Sequence, residues 1–507
     1  MARRWWTLTA VCTGVFMLLL DITIVNVALP DIGRGFHASL SDLQWVIDAY
    51  ALTLAAFLLT AGSLADLYGR RKLFAAGIAI FTLGSLSCGL ATSSLFLVLA
   101  RAVQGVGGAI MFATSLALIA QAFQGAERGV AFGAFGAITG VAIAVGPVLG
   151  GAITTAVSWR WIFYVNVPIG AFALLVTLLR VDESRDPAAN RPDWVGFVTF
   201  SAGLAALVYG LIHSNADGWA SATVAGSLAA AVALLVAFVI AEWRQSEPML
   251  DLRLLRVPTF DGGLAAAFAI SASIFSALTF LVLYLQNILG FSAVETGVRF
   301  LPLTGAIFVT AGIAGRMTSR VPRRLLIGPG FLLVGAGMLL MRGLTPASGW
   351  THLLAGMIVA GVGAGLVNVP LVSTAVGVVE PARAGMASGI NSTLRQVGVA
   401  TGVAAIGSLF ANEVRATVIT RLAHTPLAGH AHQIAHGIST GGAAQALNAT
   451  PATLRDLVAA AARSGFVGGL NEILLIGGAV AFAGGLASLA LVRERDFVTT
   501  DALAVAA

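Results

Sequence analysis

Residues 62–72 read GSLADLYGRRK, a short polar stretch set between two apolar runs at about 43–64 and 73–92. Gly62, Gly69 and the consecutive Arg70, Arg71 and Lys72 mark a tight turn at a membrane surface. Each flanking run, coiled at 1.5 Å per residue, is long enough to cross roughly 30 Å of hydrocarbon. The same unit repeats outward in both directions. Further runs fall at about 7–29, 94–118, 130–153, 162–180, 194–213, 221–241, 262–285, 297–315, 325–343, 351–376, 387–411 and 467–491, which makes fourteen expected spans. The chain of 507 residues is 58% hydrophobic and 10% charged, whereas a soluble protein carries about 25% charged residues. These numbers describe an all-α polytopic membrane protein, since hydrocarbon demands that each span satisfy its own backbone. The basic start and apolar run at the N-terminus imitate a signal peptide, but no small-residue cleavage site follows, so an uncleaved first span is expected.

Basic residues orient the spans. With the N-terminus inside, nineteen Lys and Arg fall on inner segments and eight on outer ones, half of those in one long outer loop. Both termini are therefore expected in the cytoplasm of a bacterial cell, with the chain in its inner membrane. The nine tryptophans lie at or near span ends, as an interfacial belt requires. Cys12 and Cys88 both fall within spans and read as small packing residues without a disulfide framework. Charged, proline-containing linkers at 181–193 and 244–260 bracket spans 7 and 8. The expected organisation is a six-span half at 1–180 and a linker with two inserted spans at 181–260. A second six-span half follows at 261–492, with a long outer loop at about 412–466, and then a tail at 493–507. AGSLADLYGRRK (61–72) after span 2 and AGIAGRMTSRVPRR (311–324) after span 10 form a faint internal repeat. Repeated six-helix halves suit a transporter that rocks about a central site.

Three motifs narrow the reading. Gly62, Asp66, Gly69, Arg70 and Arg71 in the first quoted stretch resemble the loop 2–3 signature of the major facilitator superfamily. Leu97, Arg101, Gln104, Gly105, Gly107, Gly108 and Ala109 are similar to its span-4 motif. Gly146, Pro147, Gly150 and Gly151 in span 5 resemble the antiporter motif of its drug exporters, with Ala142 standing where glycine is usual. LDITIVNVALP (20–30), WRWIFYVNVPIG (159–170) and YLQNILGFSAVETGVRFLP (284–302) are similar to stretches of its fourteen-span drug:proton antiporter family. The resemblance covers about residues 5–411. It implies the major facilitator fold: two six-helix halves plus two inserted helices. It also implies that Asp66 and the loop arginines latch one conformation, and that Arg101 takes part in proton transfer.

The acids clearly inside spans are Asp21, Asp48 and Glu472, with Arg101 as their basic counterpart. At 1.5 Å per residue they lie roughly 7–13 Å below the outer span ends, a common depth that suggests a shared polar cavity. An intramembrane charge is costly, and points by default to function. Asp21 is expected to carry the coupling proton or to serve as the structural partner of Arg101. Asp48, nearer the outer mouth, is expected to relay protons or to face a cationic substrate. Gln286, Asn287 and Glu472 are further candidates for substrate contact. His424, His430, His432 and His436 in the outer loop read as a solvated cluster rather than a metal site. No Walker A motif and no nucleophile–base constellation is present, which argues against ATP-driven transport by this chain alone and against an enzyme. Scattered arginines give no nucleic-acid face. The sequence thus predicts a proton-coupled exporter of small amphipathic compounds, monomeric in the bilayer and without a cofactor beyond the proton. Proton-coupled uptake on the same fold is the runner-up, and a non-transporting sensor or scaffold stands behind it.

Overall fold

The computed structural model describes residues 3–123, 126–185, 193–245, 248, 250, 252–318, 320–379, 384–440 and 443–497, and among these every regular element is a helix. Within helices some side chains, Asp66 among them, lie outside the described set. In chain order the first half holds α1 Arg3–Phe36, α2 Leu40–Tyr68, α3 Arg70–Gly89, α4 Ser94–Ala122, α5 Ala126–Ala156 and α6 Trp161–Arg180. The pair α7 Trp194–Asp217 and α8 Ala222–Arg244 follows. Then come α9 Pro258–Ile288, α10 Ala293–Met317, α11 Arg324–Met341, α12 Thr351–Gly377 and α13 Ala384–Leu422. Two short helices, α14 Ala431–Ser439 and α15 Ala443–Ala449, precede α16 Arg455–Leu491. Each of the fourteen expected runs falls on one of these helices. Among the described residues twelve helices qualify as spans by length and composition; of the helices carrying expected runs, α2 and α5, of 29 and 31 residues and with some residues outside the described set, are not counted there.

The helix starts have local causes. Ser39, Ser93, Ser221 and Ser292 cap α2, α4, α8 and α10 by accepting a backbone N–H of the first turn. At Ser39 and Ser292 the third residue, Asp42 or Glu295, returns the bond and completes a capping box. Gly69 turns the chain between α2 and α3 at φ 113°, a conformation that suits glycine.

One expectation is corrected. The outer loop does not run from 412 to 466: α13 continues to Leu422 and α16 already begins at Arg455. The extensions are amphipathic, with Val414, Val418 and Leu422 buried at every fourth position of α13 and Val458 and Ala461 buried on α16. Hydropathy ends a span at the first charges, whereas an amphipathic helix runs on past them.

The two halves meet at the end of the bundle that carries the α14–α15 loop. There Gln44 on α2 donates to the carbonyl of Val403 on α13 at 3.2 Å, and Gln286 on α9 donates to that of Val27 on α1 at 2.8 Å. Thr279 on α9 donates to Asn26 on α1 at 3.2 Å, and the N–H of Leu40 reaches the carbonyl of Thr440 at 2.8 Å. Ala51 of α2 packs with Ala400 and Ala404 of α13 and with Val208 and Ile212 of α7, so the inserted pair flanks this seam. Toward the opposite end, which holds both termini, Gly62 on α2 and Gly305 and Gly312 on α10 face open space.

Candidate functional site

Asp21 sits on α1 at full burial, and the chain surrounds it with donors. Arg101 and Gln104, three residues apart on α4, both reach it: the guanidinium forms an ion pair with Oδ2, and the amide donates to Oδ1 at 2.8 Å. Asn166, near the start of α6, donates to the same Oδ1 at 3.0 Å and to Ser85 of α3 at 3.0 Å. Ser85 passes its own hydrogen to the carbonyl of Phe163 at 2.9 Å. Arg101 is satisfied in turn by Gln104 Oε1 at 2.7 Å, by the carbonyl of Val46 on α2 at 3.2 Å, and by the face of Tyr50 at 4.1 Å. Glycines on α4 make the approach possible: a Cβ on Gly105 would stand 2.5 Å from the carbonyl of Tyr50, and one on Gly107 would stand 2.4 Å from the backbone nitrogen of Phe81. Backbone-close helices let short side chains complete a buried charge network.

Asp48 belongs to a different setting. It is fully buried, and neither carboxylate oxygen has a hydrogen-bond partner among the described residues. It lies four residues after Gln44 and three before Ala51, on the stripe of α2 that faces α13 across the seam. A charge there, without a donor, costs several kcal/mol.

The other candidates spread across the molecule. Gln286 is buried in a π-turn of α9, Tyr284–Ile288, where it braces α1, and Asn287 beside it is exposed. Glu472 is half-buried on α16, which packs on α9, α11 and α13. The structure therefore joins Asp21 to Arg101 and places Asp48 and Glu472 outside that hydrogen-bonded group. In the loop 2–3 motif, the N–H groups of Arg70 and Arg71 donate to the carbonyl of Ser184 at 2.9 Å and the carboxylate of Glu183 at 3.0 Å. The motif is thus docked on the segment that follows α6. The Asp66 side chain falls outside the described residues.

The span-5 motif divides its glycines between two neighbours. A Cβ on Gly146 would stand 1.9 Å from Thr23 Oγ1, and one on Gly150 would stand 2.8 Å from Ile24, both on α1. Gly151 instead abuts the carbonyl of Ala293 on α10, 2.2 Å from the added atom, and Gly297 of α10 abuts the carbonyl of Pro147 at 2.3 Å. The motif both tightens the first half and closes it against the second.

The profile described as Major Facilitator Superfamily matches residues 11–403. The chain belongs to the major facilitator superfamily. Among its relatives in that superfamily, the multidrug resistance protein Stp of Mycobacterium tuberculosis is 38% identical over 81% of this chain and 77% of that protein. The tetracenomycin C resistance and export protein of Streptomyces glaucescens is 33% identical over 96% of this chain and 91% of that protein. A bacterial homologue of the human lysosomal transporter Spinster shares the superfamily fold, with a TM-score of 0.61 at 18% identity over 98% of this chain and 99% of that one. The chain is thus a superfamily transporter.

The sequence reading missed several of this transporter's site residues. Gln104 and Asn166 stand within quoted motifs but received no role there. Ser85 and Tyr50 carry no sequence signal, since a helical serine ordinarily satisfies itself on its own backbone. Arg395 also went unassigned, although it lies within the run 387–411. It donates to Asn368 on α12 at 2.8 Å, so Arg101 does not stand alone as an intramembrane cation.

Proposed function

We propose that this chain is a fourteen-span exporter of small amphipathic compounds, driven by exchange for protons across a bacterial inner membrane, with both termini in the cytoplasm. The excess of basic residues on the segments sharing a side with the termini supports that orientation. In that frame the closed seam faces outward and the open end faces the cytoplasm. The names of relatives, multidrug resistance and tetracenomycin C resistance and export, favour export over the uptake alternative.

The observation that carries the reading is Asp48, fully buried in the closed seam with no donor among the described residues. A closed seam accepts this residue as a neutral acid and resists it as an anion. Asp21, by contrast, is held by three donors and is the partner of Arg101 in a structural pair. The proposed cycle follows from that difference. A proton from outside neutralises Asp48 and lets the seam close. A substrate arriving from the cytoplasm displaces the proton inward. The ionised acid then favours opening of the seam, and the substrate leaves on the outer side. Such gating is a two-state element biased by each ligand.

Expression in an efflux-deficient bacterium tests the direction. The chain is expected to raise the inhibitory concentration of one or more amphipathic antibiotics severalfold, and a protonophore is expected to restore dye accumulation to the level of cells without the chain. Sensitisation of the expressing cells would identify uptake instead.

A further inference from the structure

Arg395 and Arg101 are both intramembrane arginines, and their surroundings differ. Arg101 meets a carboxylate, an amide, a carbonyl and an aromatic face. Arg395, eleven residues into α13, meets one neutral acceptor: its Nη2 donates to Asn368 Oδ1 on α12 at 2.8 Å. The amide of Asn368 is anchored by donation to the carbonyl of Ala364 at 2.9 Å, so its oxygen is the end turned to the guanidinium. Among the described residues no carboxylate pairs with Arg395. Nearby polar groups are also neutral: Asn391 donates to the carbonyl of Gly263 at 3.4 Å, and Thr393 Oγ1 is buried without a partner. A guanidinium has five N–H donors in a planar fork matched to a carboxylate, and most of this fork is left without an anion.

Its position gives that fork access. Ala400, Val403 and Ala404 hold the closed seam, and Arg395 lies five residues before Ala400, roughly 8 Å toward the open end. It is half-buried on α13 and meets α12 at Asn368, so part of its own surface stays accessible. A cation so placed lies on α13 between the seam and the end of the bundle that holds both termini.

We propose that Arg395, oriented by Asn368, is an anion subsite in the substrate path that takes the carboxylate of an amphipathic compound entering from the open end. This rests on the export reading above and adds to it that acidic compounds are among the cargo. The neutral partner fits that role: an internal carboxylate would occupy the fork, whereas an amide fixes it and leaves its charge for the ligand.

The test uses purified full-length protein and a matched probe pair, 1-pyrenebutyric acid and its methyl ester, with binding read by pyrene fluorescence. The wild type is expected to prefer the acid. Arg395→Gln should weaken acid binding about tenfold or more, as loss of a charge-assisted hydrogen bond implies, and should leave the ester within about twofold. Arg395→Lys should retain part of the preference. Asn368→Asp, which gives Arg395 an internal partner, should lose the acid preference in a protein whose buried charge is balanced. It therefore carries the test if Arg395→Gln fails to fold. An acid-to-ester ratio unchanged in these variants would overturn the subsite, as would a wild type without acid preference that still binds the ester, and the export reading would stand. A wild type that binds neither probe overturns the subsite; if it also moves no compound in the vesicle assay described at the close of the Discussion, the export reading falls with it.

Discussion

Asp21 accepts hydrogen bonds from Arg101, Gln104 and Asn166, which come from two helices other than its own, so replacing it disturbs three partners at once. Asp21→Asn removes the anion and leaves Arg101 buried with its charge unopposed. Breaking a buried pair from one side costs about 3–5 kcal/mol. The detergent-solubilised variant is therefore expected to unfold at a clearly lower temperature than the wild type. Asp21→Asn combined with Arg101→Gln should recover more than half of that loss, because the second change removes the stranded charge. Losses that simply add would mean the two residues do not act as a pair. Asp48→Asn is expected to have the opposite sign: the seam already favours a neutral side chain there, so thermal stability should hold or rise. Both carboxylates were legible in the sequence because a charge inside an apolar run is conspicuous. Their contrasting surroundings were not, since the donors around Asp21 come from residues 80 to 145 positions away, and nothing local to Asp48 announces that it has none among the described residues. Arg395, eight residues inside the run 387–411, was as conspicuous as Arg101; its neutral partner Asn368, 27 residues away on another helix, was not.

At the scale of one helix, α5 separates two functions that its motif shows as one. Gly146 and Gly150 pack on α1 within the first half, and Gly151 packs on α10 of the second. Gly146→Val adds three carbons where a Cβ alone already meets Thr23 Oγ1, and is expected to reduce folded yield, read by monodisperse recovery in detergent. Gly151→Val presses on the backbone of Ala293, across the seam, and should leave the first half folded while driving the halves apart. A single cysteine at position 44, in a background with Cys12 and Cys88 replaced by serine, reports that separation. Gln44 is buried in the closed seam, so labelling by a membrane-impermeant maleimide should accelerate severalfold in the Gly151→Val protein. Equal labelling rates would show that Gly151 does not hold the seam. The sequence indicated that these glycines pack closely; it did not indicate which neighbour each one meets. Helix existence was likewise readable from apolar run length, and helix ends were not. On α13 and α16 the extensions beyond the apolar runs are held by a buried stripe of Val414, Val418, Leu422, Val458 and Ala461, which averaged hydropathy dilutes with neighbouring charges.

For the whole molecule, two six-helix halves meet at the end that carries the α14–α15 loop, and in the proposed cycle Asp48 stands where that seam opens and closes. The repeat of a basic loop after spans 2 and 10 made the two halves legible. The closed end was not, because it depends on contacts such as Gln44 with Val403, Gln286 with Val27 and Gly151 with Ala293, each distant in sequence. The central claim is that substrate leaves in exchange for a proton carried by Asp48. Its most direct test is proton movement in everted membrane vesicles, followed by the fluorescence of a pH-gradient dye while compounds to which the chain confers resistance are added. With the wild-type chain those compounds should dissipate the proton gradient. With a folded Asp48→Asn chain at equal abundance they should leave it intact. Gradient dissipation by Asp48→Asn vesicles equal to that of the wild type, or compound transport by the wild type with no proton movement at all, would contradict the account.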